Sequence, residues 1–283
     1  FNSADTGAWG RIITGKVDSK AANGSVDISS DYTLVQLGGD VWNIGDGVQG
    51  LSVGVMGSWG NGDTDSTGNA DLNGKHHTAN GSIDGFSLGM YATWFADVKQ
   101  QQGAYLDSWI QYGWYNNDVS GEGAGTDSYH SRPWATSLET GYRIVLTEDN
   151  PGAQWSLIPQ AQVIYNKYSA DSFVDSSGTA IDGQNNDMWR TRIGARVAGR
   201  IENNGHLYHP FTELNWWHTG QNASVTFDRQ RVEQDIPDNM AELKFGIQGE
   251  FDANWSSWIN VGLQTGPDDY QNVSGGVGVR YVW

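Results

Sequence analysis

Apolar and polar residues alternate with a period of two along much of this chain. Between Met240 and Phe251, one face collects Ala241, Leu243, Phe245, Ile247 and Phe251, and the other Glu242, Lys244, Gln248 and Glu250. That is the period of a β-strand, whose successive side chains point to opposite sides of the sheet. The same pattern sets Trp189, Thr191, Ile193, Ala195 and Val197 against Arg190, Arg192 and Arg196. It also sets Trp134, Leu138, Tyr142 and Ile144 against Ser137, Glu139 and Arg143, and Leu106, Ile110, Tyr112 and Trp114 against Asp107 and Gln111. Clusters of Gly, Asp, Asn and Ser separate the segments and mark turns. The pattern predicts twelve strands, near residues 7–17, 31–43, 50–60, 83–97, 103–117, 131–145, 155–167, 187–200, 206–218, 239–251, 255–264 and 274–283. Long connections alternate with short ones between them.

That sorting of loops changes the picture from a generic all-β protein to a barrel that crosses a membrane. Outer-membrane barrels have short periplasmic turns at one end and longer extracellular loops at the other, whereas a soluble sandwich has no reason to sort its loops. The apolar face of each strand would then meet lipid and the polar face an aqueous lumen. An even strand number puts both chain ends on the short-turn side. Composition agrees, with 38 glycines, 14 tryptophans and a mean hydropathy of −0.53 in 283 residues. No apolar run approaches the roughly 20 residues of a membrane helix. The aromatic content argues against disorder. A net charge of −17 argues against nucleic acid as a partner. With no cysteine, disulfides and thiolate metal sites are excluded.

The alternation assigns Arg11, Arg143, Arg190, Arg192, Arg196, Lys244 and Arg280 to the lumen, with Asp40, Asp107, Glu139, Glu213, Glu242 and Glu250. This inward set carries one net positive charge and leaves −18 for loops, turns and strand ends. Confined charges must be paired or hydrated, while loops in water tolerate either sign. Trp9, Trp42, Trp59, Trp94, Trp114, Trp134, Trp155, Trp189, Trp216 and Trp255 fall where strands would cross the interfaces, as an aromatic belt requires. The chain stops on Trp283, which shares one face with Val277, Val279 and Tyr281. This resembles the terminal signal read by the outer-membrane barrel assembly machinery. A last strand without a tail is free to pair with the first and remove the sheet edge.

Several segments carry a family likeness. Gly7-Ala-Trp-Gly-Arg11, Leu37-Gly-Gly-Asp-Val-Trp42, Leu106-Asp-Ser-Trp-Ile-Gln-Tyr-Gly-Trp114 and Ser137-Leu-Glu-Thr-Gly-Tyr-Arg143 resemble autotransporter β-domains, and so do Ile158–Tyr165, Glu213–His218 and Ala241–Gly249. The likeness runs from Gly7 to Trp283 and is nearest to the diffuse-adherence adhesin subfamily. It implies a translocator of type V secretion in the outer membrane of a Gram-negative bacterium. Such a unit exports and anchors an N-terminal passenger, here an adhesin, at the cell surface. The resemblance further implies a linker helix through the lumen, contact with membrane lipid and the assembly machinery, a monomeric barrel and no cofactor. Residues 1–6 are read as the remnant of that linker and 7–283 as the barrel domain, since six residues are too few for a helix rising 1.5 Å per residue to cross. Self-cleavage at Phe1-Asn2 is not carried over.

Other readings stay open at this point. A passive outer-membrane channel fits the lumen polarity equally well. A soluble β-sandwich is disfavoured by the apolar faces. A barrel phospholipase would need a Ser–His pair with an orienting partner, and His130-Ser131 and His218-Thr219 are the only adjacent candidates. A barrel protease would draw on Asp63, Asp65, His76 and His77, which are expected in one long loop. Asp63-Thr-Asp65-Ser-Thr-Gly68 offers carboxylates to calcium but lacks the terminal Glu of an EF-hand. Gly121-Glu-Gly-Ala-Gly125 and Gly74-Lys75 lack the context of nucleotide loops.

Overall fold

A computed structural model describes residues 6–21, 26–68, 74, 76, 78–99, 102–121, 125–147, 152–174, 180–181, 183–220, 224–227, 230–233 and 237–283. Twelve antiparallel strands form a ring: β1 (Gly7–Ala21), β2 (Val26–Gly45), β3 (Gly50–Gly68), β4 (Thr78–Phe95), β5 (Gly103–Gly121), β6 (Thr126–Ser131 continued by Trp134–Val145), β7 (Ala153–Ala170), β8 (Gln184–Asn203), β9 (His206–Thr219), β10 (Asn239–Glu250), β11 (Trp255–Thr265) and β12 (Gln271–Val282). Each pairs with its neighbours in sequence, and β12 pairs with β1 from Gly7↔Val282 to Asp18↔Gln271. Closure leaves no sheet edge, which is the condition for a sheet to stand in lipid. β6 is interrupted because Pro133 has no N–H to give the ladder. Its carbonyl still accepts Gly113 N at 2.8 Å, so the sheet continues across the break.

The outer wall is apolar: Ile193 is 64% exposed, Leu214 63%, Leu88 58% and Val277 49%. The buried set is mostly polar, with Gln36, Arg192, Glu213, Asn215 and Glu242 among its members. This inverts the soluble order of inside and outside, as a lipid-facing barrel demands. Outward aromatics gather in two bands. On the loop side Trp134, Tyr165 and Trp189 meet in series at 5.2 and 4.7 Å, and on the chain-end side Trp255 meets Tyr281 at 4.9 Å. Trp9 departs from this expectation. It shares parity with Arg11, faces the lumen and donates its indole N–H to Tyr91 Oη at 3.1 Å.

Strands on the loop side run further than the alternation suggested. β2 starts at Val26, β3 runs to Gly68 and β4 starts at Thr78, so Asp63 and Asp65 are ladder residues rather than loop residues. Beyond the membrane both faces of a hairpin meet water. The ladder then persists without an apolar face to reveal it, and a polar hairpin reads as a loop. Two small hairpins, Phe173–Val174 with Ala180–Ile181 and Ser224–Phe227 with Gln230–Glu233, lie in the longest connections.

On the chain-end side the fully described turns, β2–β3, β8–β9 and β10–β11, are two to four residues long. Between β2 and β3, Asp46 Oδ1 accepts the N–H groups of Val48 and Gln49, both at 2.9 Å, and Oδ2 accepts the Gln49 amide at 3.1 Å. These bonds, chiefly that from Val48, hold the Asp46 carboxyl below its ordinary range. A depressed carboxylate contributes stability above its unfolded pKa and loses it as pH falls through its folded pKa. NMR titration of Asp46 should give a midpoint below 3.8, with the Val48 and Gln49 amide shifts following it; a midpoint at or above that value would refute the account.

Glycine has a specific use inside the barrel. Trp9, Tyr32, Tyr91, Tyr105 and Trp258 each lie across a glycine directly opposite on the next strand: Gly38, Gly15, Gly54, Gly141 and Gly278 respectively. A Cβ at Gly54 would fall 2.1 Å from Tyr91 Cζ and 2.6 Å from Gly39 O. Overpacking of this kind costs about 1–3 kcal/mol. Gly54→Ala is therefore expected to lower folding stability in lipid vesicles by that amount and to expel Tyr91 from its site; unchanged urea unfolding would refute it.

Candidate functional site in the lumen

The inward faces build two polar clusters on opposite walls. The larger is centred on Arg192 of β8, whose side chain is only 6% exposed. Its Nη2 reaches Glu139 Oε1 of β6 at 2.5 Å, and Nη1 reaches Gln160 Oε1 at 3.0 Å and Asn215 Oδ1 at 2.8 Å. Nε donates to Gln162 Oε1 at 2.9 Å. Glu213 lies 3.7 Å from Nη1 and accepts Arg196 Nε at 2.9 Å. A planar guanidinium with five donors in a fixed fork can serve acceptors on three strands at once.

The bonds continue around the ring. Asn215 Nδ2 is shared between Glu213 and Glu242, at 2.7 and 2.8 Å. Gln264 donates to Glu242 at 2.5 Å, Asn272 to Gln264 at 3.2 Å, and Tyr32 Oη to Asn272 at 3.1 Å. On the other flank Tyr105 Oη donates to Glu139 Oε2 at 2.8 Å. The belt thus runs from β5 through β12 to β2. Its members follow slanted register rows across the sheet, which is why residues far apart in sequence meet.

The second cluster joins Arg280 to Asp40 at 2.6 Å, with Tyr91 Oη donating to the other Asp40 oxygen at 2.6 Å and Trp9 donating to Tyr91. Arg11 donates through Nε to Gln36 Oε1 at 2.6 Å and sits 5.6 Å from the centre of the Trp9 ring. Gln36 in turn leans on Met56. Here the polar groups are held by aromatic and sulfur contacts rather than by a chain of carboxylates.

Among the described residues the remaining inward charges hydrogen-bond to neither cluster, although Asp107 is the register partner of Glu139 and Lys244 that of Glu213. Asp107 accepts Thr93 Oγ1 at 2.8 Å, and Glu250 lies 3.6 Å from His209 near the chain-end side. Arg190 stacks on Trp217, with its guanidinium carbon 4.6 Å from the ring centre. Among the described residues Arg11, Arg143, Arg190 and Lys244 have no carboxylate within ion-pair distance. The alternation separates the two faces of each strand, but it is silent on pairing partners and on rings inside the lumen. Trp9, Trp217 and Trp258 are lumen residues, and the one available signal was their parity with Arg11, Glu213 and Gln264 on their own strands.

The catalytic candidates do not assemble. His130 bonds Asn116 on the outer wall while Ser131 is buried inside against Asn117, so the two point to opposite faces. His218 is likewise outward, bonded to Asn239, and Thr219 is buried. His76 Nδ1 contacts the Gly68 carbonyl, and His77 lies outside the described residues. No group of three metal-ligating side chains occurs among the described residues.

Comparison with known proteins fits this geometry. The family model of the autotransporter beta-domain matches residues 8–262. The YuaQ protein of Escherichia coli K12 is 35% identical over 98% of this chain, and the autotransporter adhesin AIDA-I of Escherichia coli is 26% identical over 96%. The chain spans 21% and 22% of the length of these two relatives. The crystal structure of the AIDA-I transport unit superposes with a TM-score of 0.89 at 24% identity, over 98% of this chain and 90% of that one, and shares its fold. A closed ring with apolar outside and polar inside, and a family match across most of its length, have one conclusion: the chain belongs to the autotransporter beta-domain family of Gram-negative outer-membrane barrels.

Proposed function

We propose that this barrel exports a passenger attached at its N-terminal side and anchors it at the cell surface, the passenger being an adhesin as in the relative AIDA-I. The observation that carries this reading is the family match to the autotransporter beta-domain over a closed ring with a polar inner face. Twelve strands enclose room for a helix or an extended hairpin but not for a folded domain. The passenger therefore crosses unfolded and folds outside. Arg11, Asp40, Asp107, Glu139, Arg143, Arg190, Arg192, Arg196, Glu213, Glu242, Lys244, Glu250 and Arg280 keep the conduit wet, and those of the belt also rigidify the wall. Val277, Val279, Tyr281 and Trp283 present the last strand to the assembly machinery, and the barrel works as a monomer in lipid. It carries out no catalysis of its own.

The test is surface display. An epitope fused upstream of residue 7 and expressed behind a signal peptide should become accessible to antibody and to added protease on intact cells. An inserted, heat-modifiable barrel whose epitope stays protected would reject export and favour a passive channel.

A further inference from the structure

Toward the loops the apolar outer wall gives way to charged residues, and their sign changes around the ring. The first outward charge is Asp31 on β2, Asp63 on β3, Asp84 on β4, Asp118 on β5 and Asp187 on β8. On β1 it is Lys16, whose register partner is Asp31. β6 and β7 present Arg132 and Lys167, the one place among the described residues where neighbouring strands both offer a cation. The Arg132 backbone N–H donates to the Ser169 carbonyl at 2.7 Å, and Trp134 is the register partner of Lys167, so the two cations are diagonal neighbours on one face. Both side chains are exposed and have no ion pair among the described residues. The carboxylate opposite Lys167 is Asp187, and Asp171 lies further out, where its backbone N–H bonds His130. Like charges on adjacent strands repel, so an anion beside the pair is stabilising. Directly below runs the aromatic band of Trp134, Tyr165 and Trp189. There the wall dips: Ser108, Thr136, Leu138, Val163, Tyr165 and Trp189 line a depression of about 360 Å³. Thr136 turns its hydroxyl to the Trp109 carbonyl at 3.1 Å, which leaves its methyl group to the depression.

We propose that this wall holds an outer-leaflet lipid bearing a phosphate monoester, with the phosphate between Arg132 and Lys167 and an acyl chain in the depression. The aromatic band marks headgroup depth. The cations stand just beyond it and the depression just inside it, which is the order of phosphate and chain in a lipid. A phosphate monoester carries about −1.5 to −2 charges at pH 7 and so matches two cations, whereas a diester carries one. The guanidinium can fork onto two phosphate oxygens, and the ammonium adds a point charge. Elsewhere on the loop-side wall Asp31, Asp63, Asp84 and Asp118 would repel the same headgroup, which confines it to β6 and β7. Bisphosphorylated lipid A has this chemistry. The inference concerns the outer wall alone and holds whatever the barrel exports.

The test uses the folded 283-residue barrel in a neutral detergent. It is incubated with lipid A, with lipid A stripped of its phosphates, or with phosphatidylglycerol, and native mass spectrometry counts the lipid retained. Lipid A should be held about tenfold more tightly than its dephosphorylated form, the advantage expected of two cations at a charged leaflet. It should also exceed phosphatidylglycerol, whose phosphate is a diester. Arg132→Gln combined with Lys167→Gln should abolish both preferences, whereas Lys16→Gln, beside Asp31, should leave them intact. Ser108→Leu fills the depression and should weaken retention of lipid A about threefold with the cations still present. Folding of each variant is checked by heat-modifiable migration. Should the double variant fail to fold, Lys167→Gln alone should reduce the preference about threefold. Equal retention of lipid A and its dephosphorylated form, a preference that survives the double substitution, or retention unchanged by Ser108→Leu would overturn the proposal. Phosphatidylglycerol held as tightly as lipid A would show that any anionic headgroup serves and would reject the monoester.

Discussion

Replacing Arg192 with Ala is expected to destabilise the barrel by about 3 kcal/mol or more, the cost of removing one partner from a buried ion-pair network. The side chain is 6% exposed and serves Glu139, Gln160, Gln162 and Asn215 directly. Its loss leaves Glu139 with Tyr105 as its remaining bonded partner and strips Asn215 Oδ1 of its donor. Buried acceptors left without donors carry their full desolvation cost, which exceeds what the bond contributed when made. Arg192→Lys keeps the charge but offers one point donor where a fork is needed, so it should recover only part of the loss. Urea unfolding in lipid vesicles reads both effects. An Arg192→Ala barrel within 1 kcal/mol of the parent would show that lumen water replaces the guanidinium and that the belt is not a stabilising unit.

The next residue has the opposite requirement. Ile193→Arg is expected to cost about 2–4 kcal/mol, the range for a cation on the lipid face at the bilayer midplane. Ile193 points outward and lies about midway along β8 between Trp189 and Gly199, the latter being the register partner of Trp155 in the opposite aromatic band. Neighbouring outward side chains, Ala161 and Trp216, offer no carboxylate to pair with. The same change at Asn61, outward on the polar extension of β3 and exposed, should fall within about 0.5 kcal/mol of the parent. Folding titrations in vesicles would separate the two sites. Equal costs at residues 61 and 193 would mean that the apolar wall is not the lipid-facing wall.

These two neighbours show how much was legible in the chain. A period of two needs no knowledge of the fold, because the pleat alone sends Arg192 and Ile193 to opposite faces. Apolar residues on one face and charges on the other then identify the solvent on each side. What misled was the end of the alternation. The outer parts of β2 and β3 carry Asp, Ser and Thr on both faces, so the ladder there leaves no periodic trace. Trp9 misled for a different reason. A tryptophan near a strand end fits an interfacial belt, and only its register partner Gly38, over which the ring lies, shows that it has room inside.

By itself the sequence determined that this chain is a ring of strands with lipid outside and water within, because facial alternation is a local property that each strand displays on its own. The tertiary structure decided which charges satisfy one another. Arg192 meets Glu139 across two strand boundaries and Arg280 meets Asp40 across the closing seam, with β1 between them. Those meetings depend on register and on the slant of rows around the ring, which are properties of the closed sheet and of no single segment.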